Sequence, residues 1–248
     1  GLLKASSFNF GRMLFGDGNG TLGKVYYSEF SLIRRRGVPK WGMFHRKDAN
    51  GGGALCDLGV HLIDAALWVM GSPKFTAISG MASAEIAHNE TNILTSLAES
   101  GAPAGVFNAR KYSPEEFEVE EFAAGSIRLD NGCCLNFKTS WAVNLPNEYA
   151  MSFAGSKAGL LLPKVELLST MGHYQADIQP RLFPQERRFA KEAFPGHFFL
   201  FENAVDHILY GTPLMVKPEE TLNVAAIIDA FYISAAENRE VRAEEILK

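Results

Sequence analysis

The most regular pattern of apolar and polar positions lies between the glycine triplet at residues 51–53 and Met70. Apolar residues recur there at helical spacing, namely at Leu55, Leu58, Leu62, Ala65 and Val69. Gly71 and Pro73 follow, and this pair is typical of the end of a helix. The pattern therefore predicts an amphipathic helix over this stretch.

Three other helices are predicted, one near the start of the chain and two near its end. They cover residues 8–15, residues 198–210, and residues 218 to about 237. The last begins with a proline followed by two glutamates, which suits the first turn of a helix. Phe198, Phe199 and Phe201 are interpreted as core residues.

Between these helices the pattern changes to short segments that are rich in β-branched and aromatic residues, and these predict strands. The predicted strands cover residues 25–33, 75–81, 122–129, 133–141, 149–154 and 159–162, with further strand within 165–178. The sequence Asp130-Asn131-Gly132 separates two of them and predicts a hairpin. Residues 34–50 have no clear period and are predicted to form a long irregular loop, a kind of segment that often carries function.

The order of these elements favours the α+β class. Strands follow one another instead of alternating with helices, so we expect an open, mostly antiparallel sheet with helices packed on one face. No G-x-G-x-x-G sequence stands between a strand and a helix, which argues against a doubly wound nucleotide-binding domain. The 248 residues fit a single domain over 1–248.

Composition narrows the class of protein further. The chain is 47% hydrophobic and 21% charged, with a formal charge of −4, as is typical of a globular domain. This charge gives no reason to expect a nucleic acid or membrane partner. The cysteines are Cys56 and the neighbours Cys133 and Cys134, which point to opposite faces of a strand. We therefore expect no disulfide, a reducing cytoplasmic location and no metal site.

One pair of residues on the predicted central helix is suited to chemistry. At about 100° per residue, Asp57, His61, Asp64 and Trp68 form a stripe roughly 120° from the apolar one. Asp57 and His61 project together, and a carboxylate beside an imidazole favours a general acid/base for a hydroxyl proton. The glycine triplet would let a ligand approach the backbone. The same spacing is common on the solvated face of any helix, so the pattern alone leaves both interpretations open.

Three residues of the irregular loop are candidates for substrate binding: Arg36, Trp41 and His45. Arg36 belongs to a run of three arginines that suits a phosphate or carboxylate, although a solvated charge run gives the same pattern. Trp41 and His45 lie just before the glycine triplet. An aromatic ring there suits stacking on a sugar, and it equally suits attachment of the loop to the domain.

The glycine-rich segment also resembles a known family. Residues 51–61, Gly-Gly-Gly-Ala-Leu-Cys-Asp-Leu-Gly-Val-His, resemble the G-G-G-x-x-x-D-x-G-x-H segment of the glucose–fructose oxidoreductase / inositol dehydrogenase / MocA family. Further similar segments cover residues 20–25, 127–132, 153–159 and 213–241, so the resemblance extends over nearly the whole chain. Members of this family have an N-terminal Rossmann domain that binds NAD or NADP and a C-terminal α+β domain. This sequence resembles the second domain, and the E-K-P motif of the first does not occur in it.

The resemblance implies a role for each residue of the pair. It implies that His61 takes a proton from a substrate hydroxyl as hydride leaves for the nicotinamide, while Asp57 orients His61 or binds the substrate. It also implies a sugar, polyol or related substrate, with NAD or NADP in a full-length parent and no cofactor bound to this chain alone. The expected partners are an N-terminal Rossmann domain and further copies of the chain, forming a homodimer or homotetramer through the sheet.

Two other functions remain open from the sequence. The chain would be a non-catalytic module if its sheet served only assembly. It would belong to an NAD-dependent glycoside hydrolase if its parent resembled those relatives that use bound NAD transiently to cleave glycosides.

Overall fold

The computed structural model of the protein describes residues 6–16, 20–89, 97, 99–102, 105, 108, 110–111, 113–181 and 195–247. Its strands are β1 (Val25–Ile33), β2 (Phe75–Ser83), β3 (Phe122–Leu129), β4 (Cys134–Ser140), β5 (Glu148–Gly155), β6 (Gly159–Leu162), β7 (Glu166–Met171), β8 (Tyr174–Ile178) and β9 (Val241–Arg242). Its α-helices are α1 (Ser6–Phe15), α2 (Lys47–Asn50), α3 (Val60–Val69), α4 (Pro195–Tyr210), α5 (Pro218–Glu237) and α6 (Ala243–Ile246).

The described strands form one nine-stranded sheet in the order β8-β7-β6-β5-β1-β4-β3-β2-β9. The neighbours β1 and β4 are parallel, and every other neighbouring pair of described strands is antiparallel. This arrangement confirms the predicted α+β class with a mostly antiparallel sheet. The predicted strand 165–178 is a hairpin of β7 and β8. The short elements α2, β9 and α6 were not predicted, because two to four residues are too few to show a period.

The core lies between one face of the sheet and helices α3 and α5. Leu62 of α3 and Phe231 of α5 are fully buried in the same cluster as Phe30 of β1 and Phe137 of β4. The rings of Phe30 and Phe137 stack with their centroids 5.6 Å apart. Apolar burial of this kind is the main stabilising contribution to the domain, and it fixes α3 directly over the centre of the sheet.

The opposite face of the sheet is more polar, as the alternation of buried and half-buried residues along β4 shows. Cys134 and Asn136 of β4 are half-buried there, next to Tyr27 and Glu29 of β1. Asn136 Nδ2 donates to the Tyr27 hydroxyl at 3.3 Å, and that hydroxyl donates to Glu29 Oε2 at 2.7 Å. This face of the sheet is therefore less apolar than the face that packs against α3 and α5.

Helix α4 turns apolar side chains outward. Phe201 and Ile208 are 71% and 80% exposed, and Phe198 is 40% exposed. The prediction that Phe198 and Phe201 belong to the core is therefore wrong for this chain, and the side chain of Phe199 lies outside the described residues. The polar Asn203 faces inward instead, where it donates to Pro213 O and accepts from Met215 N–H. An exposed apolar helix side is typical of an interaction surface.

One described stretch, Lys47–Val69, is long and apolar enough by length and composition to cross a membrane. About 67% of its most apolar window is buried inside the domain. This burial is typical of the core helix of a globular protein, and the position of α3 over the sheet accounts for it.

Candidate active site

The backbone that precedes α3 is attached to a buried carboxylate on a distant segment. Glu120 lies two residues before the start of β3. Its carboxylate accepts hydrogen bonds of 2.9 Å from the N–H groups of Gly53 and Leu55. Its own carbonyl accepts from the N–H of Ala54 at 3.0 Å. Burial raises the pKa of Glu120, while these hydrogen bonds favour its ionised form. One residue thus satisfies three donors at the start of the helical segment.

The close approach of these segments explains the glycine triplet. A Cβ atom on Gly53 would lie 1.8 Å from the carbonyl oxygen of Glu120, and one on Gly52 would lie 2.0 Å from the Tyr232 hydroxyl. That hydroxyl donates to Glu120 Oε1 at 3.0 Å. In this structure, the triplet therefore admits Glu120 and Tyr232 to the backbone, and the approach of a ligand remains a prediction.

The helical segment does not begin as a regular α-helix. Residues Leu55–Gly59 form a π-helical turn, and the N–H of Val60 closes it on the carbonyl of Leu55. Such turns insert one extra residue and are frequent at functional sites. The sequence predicted a continuous helix here, because the periodicity of the apolar residues does not reveal a single inserted residue. The extra residue falls in the turn that carries Asp57.

Asp57 and His61 lie four residues apart along this segment, a spacing that is expected to bring two side chains to one side of a helix. Asp57 is half-buried and His61 is exposed. Asp57 Oδ2 accepts a hydrogen bond of 2.9 Å from the indole Nε1–H of Trp141. The carboxylate is therefore held by the protein, while the imidazole can be reached from outside. This arrangement suits a proton carrier with an oriented anionic neighbour.

Arg34 is the member of the arginine run whose charge interacts with Asp57. Its half-buried guanidinium donates to the carbonyl of Ser100 at 2.8 Å. Burial lowers the pKa of Arg34, and the negative charge of Asp57 opposes this shift. Arg36, the predicted substrate-binding residue, instead donates to Val143 O at 3.2 Å and to Asn144 Oδ1 at 2.9 Å. Its role in substrate binding remains a prediction.

Trp41 and His45 are packed inside the loop before the glycine triplet. The rings of Trp41 and Phe44 meet edge-on, with their centroids 4.6 Å apart. The indole N–H of Trp41 is buried without an acceptor among the described residues. His45 is only 2% exposed, and its Nε2 lies 3.5 Å from a carboxylate oxygen of Glu116. Burial lowers the pKa of His45. These contacts attach the loop to the domain, and binding of a substrate by either residue remains a prediction.

Three residues of the site were not singled out from the sequence: Glu120, Tyr232 and Trp141. The available signals were a pair of adjacent glutamates just before a strand and a tryptophan just after one. Neither signal predicts which distant backbone group or side chain these residues will contact. Among the described residues, no cluster of three or more histidine, cysteine, aspartate or glutamate side chains is arranged to hold a metal ion.

The nine-stranded sheet with α3 and α5 packed against one face is the architecture of an α+β domain. The chain belongs to the Gfo/Idh/MocA oxidoreductase family, since residues 18–243 match the family model described as "Oxidoreductase family, C-terminal alpha/beta domain". This match confirms the family to which the sequence resemblance pointed.

Two curated relatives carry more specific names. The chain is 30% identical over 220 residues to the D-glucoside 3-dehydrogenase of Escherichia coli (strain K12), covering 88% of this chain and 56% of that protein. It is 28% identical over 139 residues to a putative UDP-kanosamine synthase oxidoreductase subunit of Amycolatopsis mediterranei (strain S699), covering 56% and 36%. The matched part of the chain thus spans about half or less of each relative.

Solved structures share the fold at low sequence identity. An aldose-aldose oxidoreductase from Caulobacter crescentus, complexed with glycerol, is 20% identical with a TM-score of 0.67, covering 97% of this chain and 61% of that one. GenD2 from gentamicin A biosynthesis, in complex with NAD, is 21% identical with a TM-score of 0.63 and the same coverage. These similarities establish the architecture of the domain.

Proposed function

We propose that this chain is the substrate-binding and proton-transfer half of an NAD(P)-dependent oxidoreductase that acts on a hydroxyl of a sugar, polyol or related compound. The observation that carries the proposal is the Asp57–His61 pair, with the carboxylate held by Trp141 at 2.9 Å and the imidazole exposed. The D-glucoside 3-dehydrogenase relative supports this class of substrate, because it is 30% identical over 88% of the chain.

The chemistry follows from the two side chains. The neutral imidazole of His61 accepts the proton of the substrate hydroxyl, and Asp57 stabilises the imidazolium that forms. A bound nicotinamide would supply the hydride acceptor, so that loss of a hydride from the carbon that bears this hydroxyl turns the alcohol into a carbonyl. The proton that His61 took from the substrate hydroxyl is then released to solvent, which the exposure of His61 allows.

The cofactor in this proposal belongs to a second domain. The one G-x-G-x-x-G sequence of the chain, residues 18–23, follows α1 and precedes β1, whereas a pyrophosphate is bound where such a turn leads from a strand into the N-terminus of a helix. We therefore expect this chain alone to bind neither NAD nor NADP. An N-terminal Rossmann domain would supply the cofactor. The outward apolar side of α4, with Phe201 and Ile208, is a surface that such a domain can cover.

We also propose that copies of the chain associate through the open face of the sheet into a homodimer or homotetramer. The small and polar side chains of that face, such as Cys134 and Asn136, support this surface. A reducing, cytoplasmic location is consistent with the proposal, because Cys56, Cys133 and Cys134 are free thiols.

The test is an assay of the whole polypeptide that carries this chain. It is incubated with glucosides, free sugars and polyols in the presence of NAD or NADP, and the reduced nicotinamide is followed by absorbance. We expect reduction that is abolished in His61→Ala. Cleavage of a chromogenic glycoside without net reduction would favour the glycoside hydrolase, and no reaction in either assay would favour the assembly module.

A further inference from the structure

Trp141 is held rigidly at the end of β4. It is completely buried, and its backbone N–H donates to Glu121 O at 2.8 Å. Its carbonyl accepts from the N–H of Gly37 at 2.6 Å. The indole meets the ring of Phe117 edge-on, with centroids 6.5 Å apart and planes at 81°. Backbone bonds and packing on several sides therefore leave this side chain little freedom to move.

The one polar atom of the indole is directed at Asp57. A buried indole N–H needs an acceptor, and here the acceptor is Asp57 Oδ2 at 2.9 Å. A hydrogen bond to a carboxylate is stronger than one between neutral groups. It joins two segments 84 residues apart and reaches the π-helical turn that carries Asp57. Among the described residues, no side chain is hydrogen-bonded to the other carboxylate oxygen, Oδ1.

We propose that Trp141 is a positioning residue, which fixes the orientation of the Asp57 carboxylate and so the support that Asp57 gives to His61 and the substrate. This inference rests on the proposed function. Proton transfer depends steeply on distance and orientation, so a carboxylate that rotates freely supports the imidazole less well. The alternative is that Trp141 only fills space in the small cluster that also contains Val38, Leu58 and Phe117.

The hydrogen bond itself is tested on the 248-residue chain by nitrogen-15 NMR of the indole groups. The chain has three tryptophans, Trp41, Trp68 and Trp141, and Trp141→Phe assigns the third signal. We expect Asp57→Asn to shift the Trp141 indole signal and to leave that of Trp68 in place. An unchanged Trp141 signal in Asp57→Asn would overturn the proposal without any measurement of activity.

The positioning role is tested by kinetics of the whole polypeptide. Trp141→Phe keeps an aromatic ring and removes the donor, and we expect kcat to fall about tenfold with KM changed less than about twofold. The acidic limb of the pH profile of kcat/KM should move to lower pH, because a loosely held carboxylate stabilises the imidazolium less. The control is Phe153→Leu on β5, which also disturbs a fully buried aromatic residue but lies in the main core.

The control should lower the melting temperature and leave kcat and the pH profile unchanged. A Trp141→Phe protein that is destabilised but has wild-type kcat and pH profile would overturn the positioning role alone. Absence of any oxidoreductase turnover in the wild-type polypeptide would overturn the proposed function and, with it, the positioning role.

A second experiment covers the case in which Trp141→Phe does not fold. Incorporation of 5-fluorotryptophan into a Trp41→Phe/Trp68→Phe background changes the acidity of the one remaining indole N–H, that of Trp141. An unchanged pH profile there would equally contradict the proposal.

Discussion

The carbonyl oxygen of Glu120 lies 1.8 Å from the position that a Cβ atom on Gly53 would occupy. The two segments can approach this closely because Gly53 has no side chain, and the carboxylate of Glu120 then reaches the N–H groups of Gly53 and Leu55. The position of the turn that carries Asp57 therefore depends on a residue 67 positions further along the chain.

Gly53→Ala is expected to lower the free energy of unfolding by more than about 2 kcal/mol, because backbone atoms must move apart to admit the methyl group. Urea denaturation of the 248-residue chain measures this. Gly51→Ala is the matched control, since Gly51 has a φ of +76° with open space around its Cβ position. The control should cost about 1 kcal/mol from backbone strain alone. Equal losses in the two variants would contradict the close-contact explanation.

His61→Ala in the whole polypeptide is expected to lower kcat by about 10²–10⁴ with the fold retained, because the proton acceptor is lost. Asp57→Asn should lower kcat as well, since the imidazolium loses its anionic neighbour. Steady-state kinetics and circular dichroism measure the two effects. His173→Ala, in the exposed turn between β7 and β8, is the control and should keep wild-type turnover. If His61→Ala also keeps it, His61 is an ordinary residue of a solvated helix face.

Arg34→Gln is expected to reduce kcat/KM by about 10- to 100-fold, because the variant removes the cation that interacts with Asp57. Arg36→Gln removes the same charge from the same loop, but its contacts are with Val143 and Asn144. We expect a change of less than about threefold there. The reverse order of effects would favour the original prediction from the sequence, in which Arg36 binds the substrate.

Asp64 makes the stability of the domain depend on pH. Burial, and then the charge of Glu220, raise the pKa of Asp64 to about 6 from its ordinary value of 3.8. Between these values the folded protein retains a proton that the unfolded chain loses, so the free energy of unfolding falls as the pH rises from about 4 to about 6. Asp64→Asn should remove this slope and stabilise the domain at pH 7 by about 1 kcal/mol, after allowance for solvent screening. Urea denaturation across this pH range measures the free energy of unfolding of both proteins. The same dependence on pH in the variant and the wild type would contradict the raised pKa of Asp64.

Self-association through the sheet is expected to give a dimer or tetramer by light scattering at tens of micromolar. Ser126→Arg places a charge at the centre of the open face and should yield monomers, because a buried unpaired charge is costly. Thr221→Arg adds the same charge on the exposed side of α5 and should leave the oligomer intact. A monomeric wild-type chain would count against this surface.

Much of the local structure could be predicted from the sequence, because it follows from local periodicity and turn chemistry. The helical spacing of the leucines determined the region of α3, and Asp130-Asn131-Gly132 determined the hairpin between β3 and β4. The same spacing placed Asp57 and His61 on one side of that helix. These features depend on residues that are close in sequence, and the hydrophobic effect acts on their pattern directly.

Contacts between distant segments were decided only by the tertiary structure. The parallel pairing of β1 with β4, in which Tyr27 meets Cys134, has no local signal because it depends on how the whole sheet assembles. Trp141 and Glu120 reach the turn of Asp57 from segments that the sequence describes only as the ends of strands. The sequence by itself therefore determined which residues form the candidate pair. The packing of the helical segment on the sheet decided that Trp141 holds Asp57, because hydrogen-bond partners for buried groups are fixed only when the core closes.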